Sequence, residues 1–79
     1  MKNRFFVSYH GGLYLAASEF DEKKYAIGFV KSPIFEQMQN KLRYIYDRKL
    51  KKKILGSEKY DPKDELYSIM INISVTKAA

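Results

Sequence analysis

A chain of 79 residues, 46% hydrophobic and 30% charged, has the composition of a small globular domain with one thin core rather than that of a disordered or membrane-spanning segment. It has no cysteine, which removes disulfide frameworks, thiolate zinc sites and cysteine nucleophiles, and its formal net charge of +6 favours anionic partners. A single domain over residues 1–79 in the cytoplasm is the expectation, since Ser8, His10, Gly11 and Gly12 interrupt any apolar signal-peptide core and no run approaches membrane-spanning length. Short, basic, Lys-, Tyr- and Ile-rich chains of this kind suit the small products of phages and mobile elements.

RFFVSYH (Arg4 to His10) and LYLAASEF (Leu13 to Phe20) flank Gly11-Gly12, a dipeptide suited to the positive φ of a two-residue hairpin turn. With that loop, His10 pairs with Leu13, Tyr9 with Tyr14 and Val7 with Ala16. DEKK forms a second turn, and YAIGFV (Tyr25 to Val30) reads as a third strand. One face then holds Phe5, Val7, Tyr9, Tyr14, Ala16, Phe20, Tyr25, Ile27 and Phe29, a core face. The other is mixed, with Arg4, Phe6, Ser8, His10, Leu13, Leu15, Glu19 and Lys24. Phe6, Leu13 and Leu15 on that uncovered face suggest a homodimer or a docked partner.

Ser32-Pro33 marks a helix start, with a hydroxyl to cap and a proline whose missing N–H costs nothing at the first position. Ile34, Phe35, Met38, Leu42, Ile45 and Tyr46 recur at helical spacing, so a long helix is expected to cover the sheet. The stripe ends near Arg48, and the basic turns beyond it overhang the core or fray until Gly56. SEKYDPKDE is turn-like, and LYSIMINISVT alternates as a strand would, with a helix capped at Asp61-Pro62 as the rival over residues 62–75. The expected fold is α+β: a three-stranded antiparallel sheet, one long helix on one face and a C-terminal fourth strand, in the order β-β-β-α-β.

The functional signal is the run Asn40 to Gly56, which holds seven of the fifteen Lys and Arg residues and one of the nine acids. Its excess equals the net charge of the whole chain. One or two cations at a helix C-terminus answer the helix dipole. Seven with the acids excluded repel one another unless an anion neutralises them, and phosphate backbones are the usual anion. Lys41, Arg43, Arg48, Lys49, Lys51, Lys52 and Lys53 are therefore candidate contacts, with Tyr44, projecting away from the helical stripe, as a base-stacking candidate. Tyr46 lies on the stripe and is expected to pack with its hydroxyl at the rim. Four to six neutralised phosphates on duplex DNA would give a logarithmic salt slope of about −4 to −5. Folding back of Glu58, Asp61, Asp64 and Glu65 onto the run is an internal alternative. A membrane surface fits less well, because only Leu50, Ile54 and Leu55 interleave the charges.

His10, the single histidine, raises a small ribonuclease, but one histidine supplies only half of an acid/base pair, and a structural role beside the turn accounts for it. There is no calcium loop, phosphate loop, dinucleotide fingerprint or zinc spacing, so no cofactor and no metal is expected. Three strands followed by a helix, with YAIGFVKSPIFEQMQNKLRYIYDRKL at the junction, resembles in element order the AP2-type DNA-binding domain over residues 4 to 50. That family reads DNA with Arg and Trp on the sheet face away from its helix; the corresponding face here has no tryptophan and few basic residues, so the resemblance carries over no functional residue. The expectation is a non-enzymatic nucleic-acid-binding protein. The alternative is a phage-type inhibitor that lays the same segment on an acidic surface of a host nucleic-acid-handling enzyme or defence complex.

Overall fold

The computed structural model describes residues 3–11 and 14–66. Its elements are β1 (Phe5–Gly11), β2 (Tyr14–Phe20), α1 (Lys23–Lys31), α2 (Pro33–Gln37), β3 (Asn40–Asp47) and β4 (Lys52–Gly56), followed by one 3-10 turn at Pro62–Asp64. The strands form one antiparallel sheet in the order β2-β1-β3-β4. The chain is thus α+β with a four-stranded antiparallel sheet and two helices. The order β-β-α-α-β-β replaces the expected β-β-β-α-β and departs from the element order on which the AP2-type resemblance rests.

The first hairpin pairs β1 with β2, with Gly11 inside β1 opposite Tyr14 rather than in the loop, His10 opposite Leu15 and Val7 opposite Ser18. The register differs by two residues from the expected one. A shift of two leaves each side chain on its own face, and Phe5, Val7, Tyr9 and Phe20 do share a core. The expected third strand is instead α1. Ala26, Phe29 and Val30 lie at helical spacing on the core side, with Ala26 fully buried, while Tyr25 is 52% exposed. Ile27 and Phe29 satisfy both periods, which is why alternation looked plausible there.

Ser32 separates the two helices and serves both. Its hydroxyl donates to the Phe29 carbonyl at 2.8 Å, closing α1, and accepts from the Phe35 amide at 3.2 Å, capping α2. The helix that starts at Pro33 ends after five residues, and Gln39, at φ 58°, turns the chain into β3. The long amphipathic helix is therefore corrected: Ile34 and Met38 on its supposed stripe are 68% and 65% exposed. Residues 40–47 pair with β1 instead, as their Tyr and Ile content favours. A bulge places Tyr44 opposite Ser8 and Leu42 opposite Tyr9, leaving Arg43 as the extra residue. Leu42 consequently packs with Ile45 on one face, and Tyr44 with Tyr46 on the other.

Both faces are covered. The helices cover Phe5, Val7 and Ile45, with Tyr9, Phe29 and Phe35 in mutual edge contacts at ring centroids 5.2–5.5 Å apart. On the opposite face Phe6, Ala17 and Tyr44 lie beneath Tyr60, so Phe6, expected to be exposed at a dimer interface, is fully buried. Leu15 is half-buried and Leu13 lies outside the described residues. The fourth strand of the described sheet is Lys52–Gly56, and the strand expected over 67–75 lies outside the described residues. Asp61 does cap, as the rival reading had it, accepting from the Lys63 amide at 2.9 Å. Among the described residues no helix is long and apolar enough to cross a membrane.

Candidate nucleic-acid interface

The basic run folds as the β3–β4 hairpin rather than as a helix end. Asp47 organises its turn: Oδ1 accepts from the amides of Lys49 at 2.9 Å and Leu50 at 3.2 Å. The same carboxylate takes the Arg4 guanidinium at both oxygens, at 2.9 and 2.8 Å. The Arg4 hydrogen bond, with the two amides, holds the Asp47 carboxyl down at about 2 against the cost of burial. Lys51 completes the turn in the left-handed region, at φ 54°.

Arginines and lysines of the run separate. Arg43, whose side chain is 11% exposed, meets Glu58 at 3.1 Å and Asp64 at 2.9 Å and donates to the Ser8 hydroxyl at 3.0 Å. Arg48, whose side chain is 14% exposed, pairs with Glu19 and Glu65, donates to the Asn3 carbonyl at 2.7 Å and lies over the Phe6 ring. A planar, weakly hydrated guanidinium suits such partly buried carboxylates, whereas an ammonium keeps its hydration shell better at the surface. The internal alternative thus holds for Glu58, Asp64 and Glu65, which fold back onto arginines. Lys49, Lys51, Lys52 and Lys53 are exposed at the hairpin tip, and none meets an acid among the described residues.

Lys41 is exposed too, but it pairs across from His10 at the other end of β3, roughly 20 Å along the strand from Asp47. Tyr44, expected to stack on bases, is fully buried and donates its hydroxyl to Asp64; burial, then that bond, pushes its phenol well up. The eight expected contacts therefore resolve into four clustered lysines, one distant lysine and three residues that bind the segment 57–66 to the sheet.

Tyr60 went unnoticed in the sequence because it lies outside the run. Its ring stacks on Tyr46 at 3.6 Å and 10°, and its hydroxyl donates to Glu65 at 3.0 Å. Burial, then the Glu65 bond, pushes its phenol up to about 12. Both rings are half-buried and line a concavity of about 500 Å³ with Arg48, Lys51, Pro62 and Glu65. Lys53 stands across from Tyr46 on β4.

His10 has its Nε2 3.7 Å from Glu58, a carboxylate that also holds Arg43, and its side chain is half exposed. That arrangement supports an ion pair when the imidazole is protonated; the chain has no second histidine. Among the described residues no cluster of three His, Cys, Asp or Glu side chains could hold a metal ion. Comparison with protein-family models, curated proteins and solved structures gives no match.

Proposed function

We propose that the protein binds nucleic acid through the phosphate backbone, using Lys49, Lys51, Lys52 and Lys53 at the tip of the β3–β4 hairpin, and that it acts by binding rather than catalysis. The observation that carries this reading is the separation of charges. Asp47, Glu58, Asp64, Glu65 and Glu19 are engaged by Arg4, Arg43 and Arg48, leaving four neighbouring ammonium groups without acids among the described residues. Such a cluster raises the local potential and gains free energy by releasing condensed counterions from a polyphosphate.

Four contacts, the low end of the expected four to six, set the salt dependence at a slope of about −3 to −4 on duplex and about −2 to −3 on single strands. The test replaces Lys49, Lys52 and Lys53 by Gln and Lys51 by Asn, which tolerates the left-handed backbone. Anisotropy of a labelled oligonucleotide across a salt series should show both affinity and slope collapse in the variant. Equal binding by parent and variant refutes the proposal. Capture of a protein partner from lysate that survives nuclease treatment and depends on the same lysines would favour the inhibitor reading instead.

A further inference from the structure

We infer that the bound nucleic acid is single-stranded, with one unpaired base packed against the Tyr46–Tyr60 stack while Lys51 and Lys53 hold the adjoining phosphates. This rests on the backbone-binding reading above and narrows its substrate class. Lysines alone do not distinguish strands, because duplex and single strand both present phosphates. Aromatic faces do distinguish them, since a duplex keeps its base faces occupied.

The placement of the tyrosines is the argument. Tyr46 projects from β3 on the face where β4 presents Lys53 directly across from it. Tyr60 returns over the same face and lies parallel to Tyr46 at 3.6 Å, the spacing at which a further aromatic plane also packs. Lys51 contributes to the same concavity, whose volume of about 500 Å³ lies in the range of small-ligand sites. The platform is held in advance. Phe6 meets the Tyr60 ring edge-on at 6.4 Å, Glu65 accepts from its hydroxyl, and Arg48 grips Glu65. Little side-chain entropy remains to be lost when a base arrives.

Charge sets the orientation. Lys51 lines the concavity from the hairpin and Lys53 stands across from Tyr46, so the cations that can hold phosphates lie on the hairpin side of the rings. The strand backbone therefore follows the hairpin, with the base directed inward onto the tyrosines.

The first test leaves the protein unchanged. Oligothymidylate should bind about 5- to 150-fold more tightly than an abasic oligonucleotide of the same length, the range that one base stacked on an aromatic ring supports. It should also quench tyrosine fluorescence, which is readable because the chain has no tryptophan. Tyr60→Leu, checked for its fold by circular dichroism, should abolish that preference while keeping the salt slope; Tyr60→Phe should retain it. Equal affinity for oligothymidylate and the abasic strand, or tighter binding of duplex, overturns this inference and leaves the lysine reading standing. Absence of salt-dependent binding to any of these probes overturns both.

Discussion

Asp47→Asn keeps the shape of the hairpin tip and removes its one negative charge, so its effect can be worked from the carboxyl's environment. In the folded chain that carboxyl titrates at about 2, against an ordinary 3.8. The difference corresponds to about 2 kcal/mol of stability. Because the folded value is the lower one, this contribution is fully present above about pH 4 and is lost as the pH falls through about 2. Urea unfolding followed by circular dichroism should therefore show the variant about 2 kcal/mol less stable than the parent at neutral pH. The gap should close as both are titrated toward pH 2, because the parent's carboxyl is then neutral too. Other acids titrate in the same window, but they do so in both proteins and cancel in the difference. A gap at neutral pH below about 0.5 kcal/mol, the usual size of a surface substitution, would refute the reasoning. So would a gap that stays constant with pH.

Gly56→Ala should destabilise by about 3 kcal/mol or more, since Gly56 has φ 114° and an added Cβ would stand 2.4 Å from both the Arg43 carbonyl oxygen and the Tyr44 Cα; an unchanged melting temperature would contradict this. Arg48→Met should cost about 3 kcal/mol by removing the cation shared by Glu19 and Glu65, whereas Lys51→Met should stay within about 0.5 kcal/mol, both read by urea unfolding. Above the ordinary phenol value of 10, stability should fall as pH rises toward about 12, because Tyr60 and Tyr44 are held protonated in the fold and ionise freely once unfolded. Phenolate absorbance for these two should rise together with loss of the circular dichroism signal, not before it.

The first hairpin was legible because period-two patterning acts locally, and a register error of two residues leaves the faces intact. Ser32-Pro33 was legible for the same reason: capping involves neighbours in the chain. What followed was not, because Leu42, Ile45 and Tyr46 fit a helical stripe by coincidence once the bulge at Arg43 is discounted. A bulge is specified by the partner strand, and β1 lies some thirty to forty residues away in sequence, with Gly11 opposite Asn40 and Phe5 opposite Asp47. The basic run was visible as charge but not as a surface. Its arginines found acids through tertiary folding, and the guanidinium's preference for partly buried carboxylates is the rule that sorts it. Tyr60 joined the site through the return of the chain over Phe6, which no local pattern announces.

The position of β4 at the margin of the sheet formed by the described residues has a bearing on association as well as on binding. A terminal strand offers its outward amides and carbonyls to any other extended chain, and closely spaced lysines are among the devices that deter such addition. Two copies of this margin repel each other while their ammonium groups remain charged. Once phosphates neutralise Lys52 and Lys53 the repulsion is gone, and the backbone groups beside them become open to edge-to-edge pairing. The same neutralisation by substitution would lift that protection permanently, so charge-removed variants are the ones expected to self-associate on concentration, and replacement by Glu would keep the copies apart.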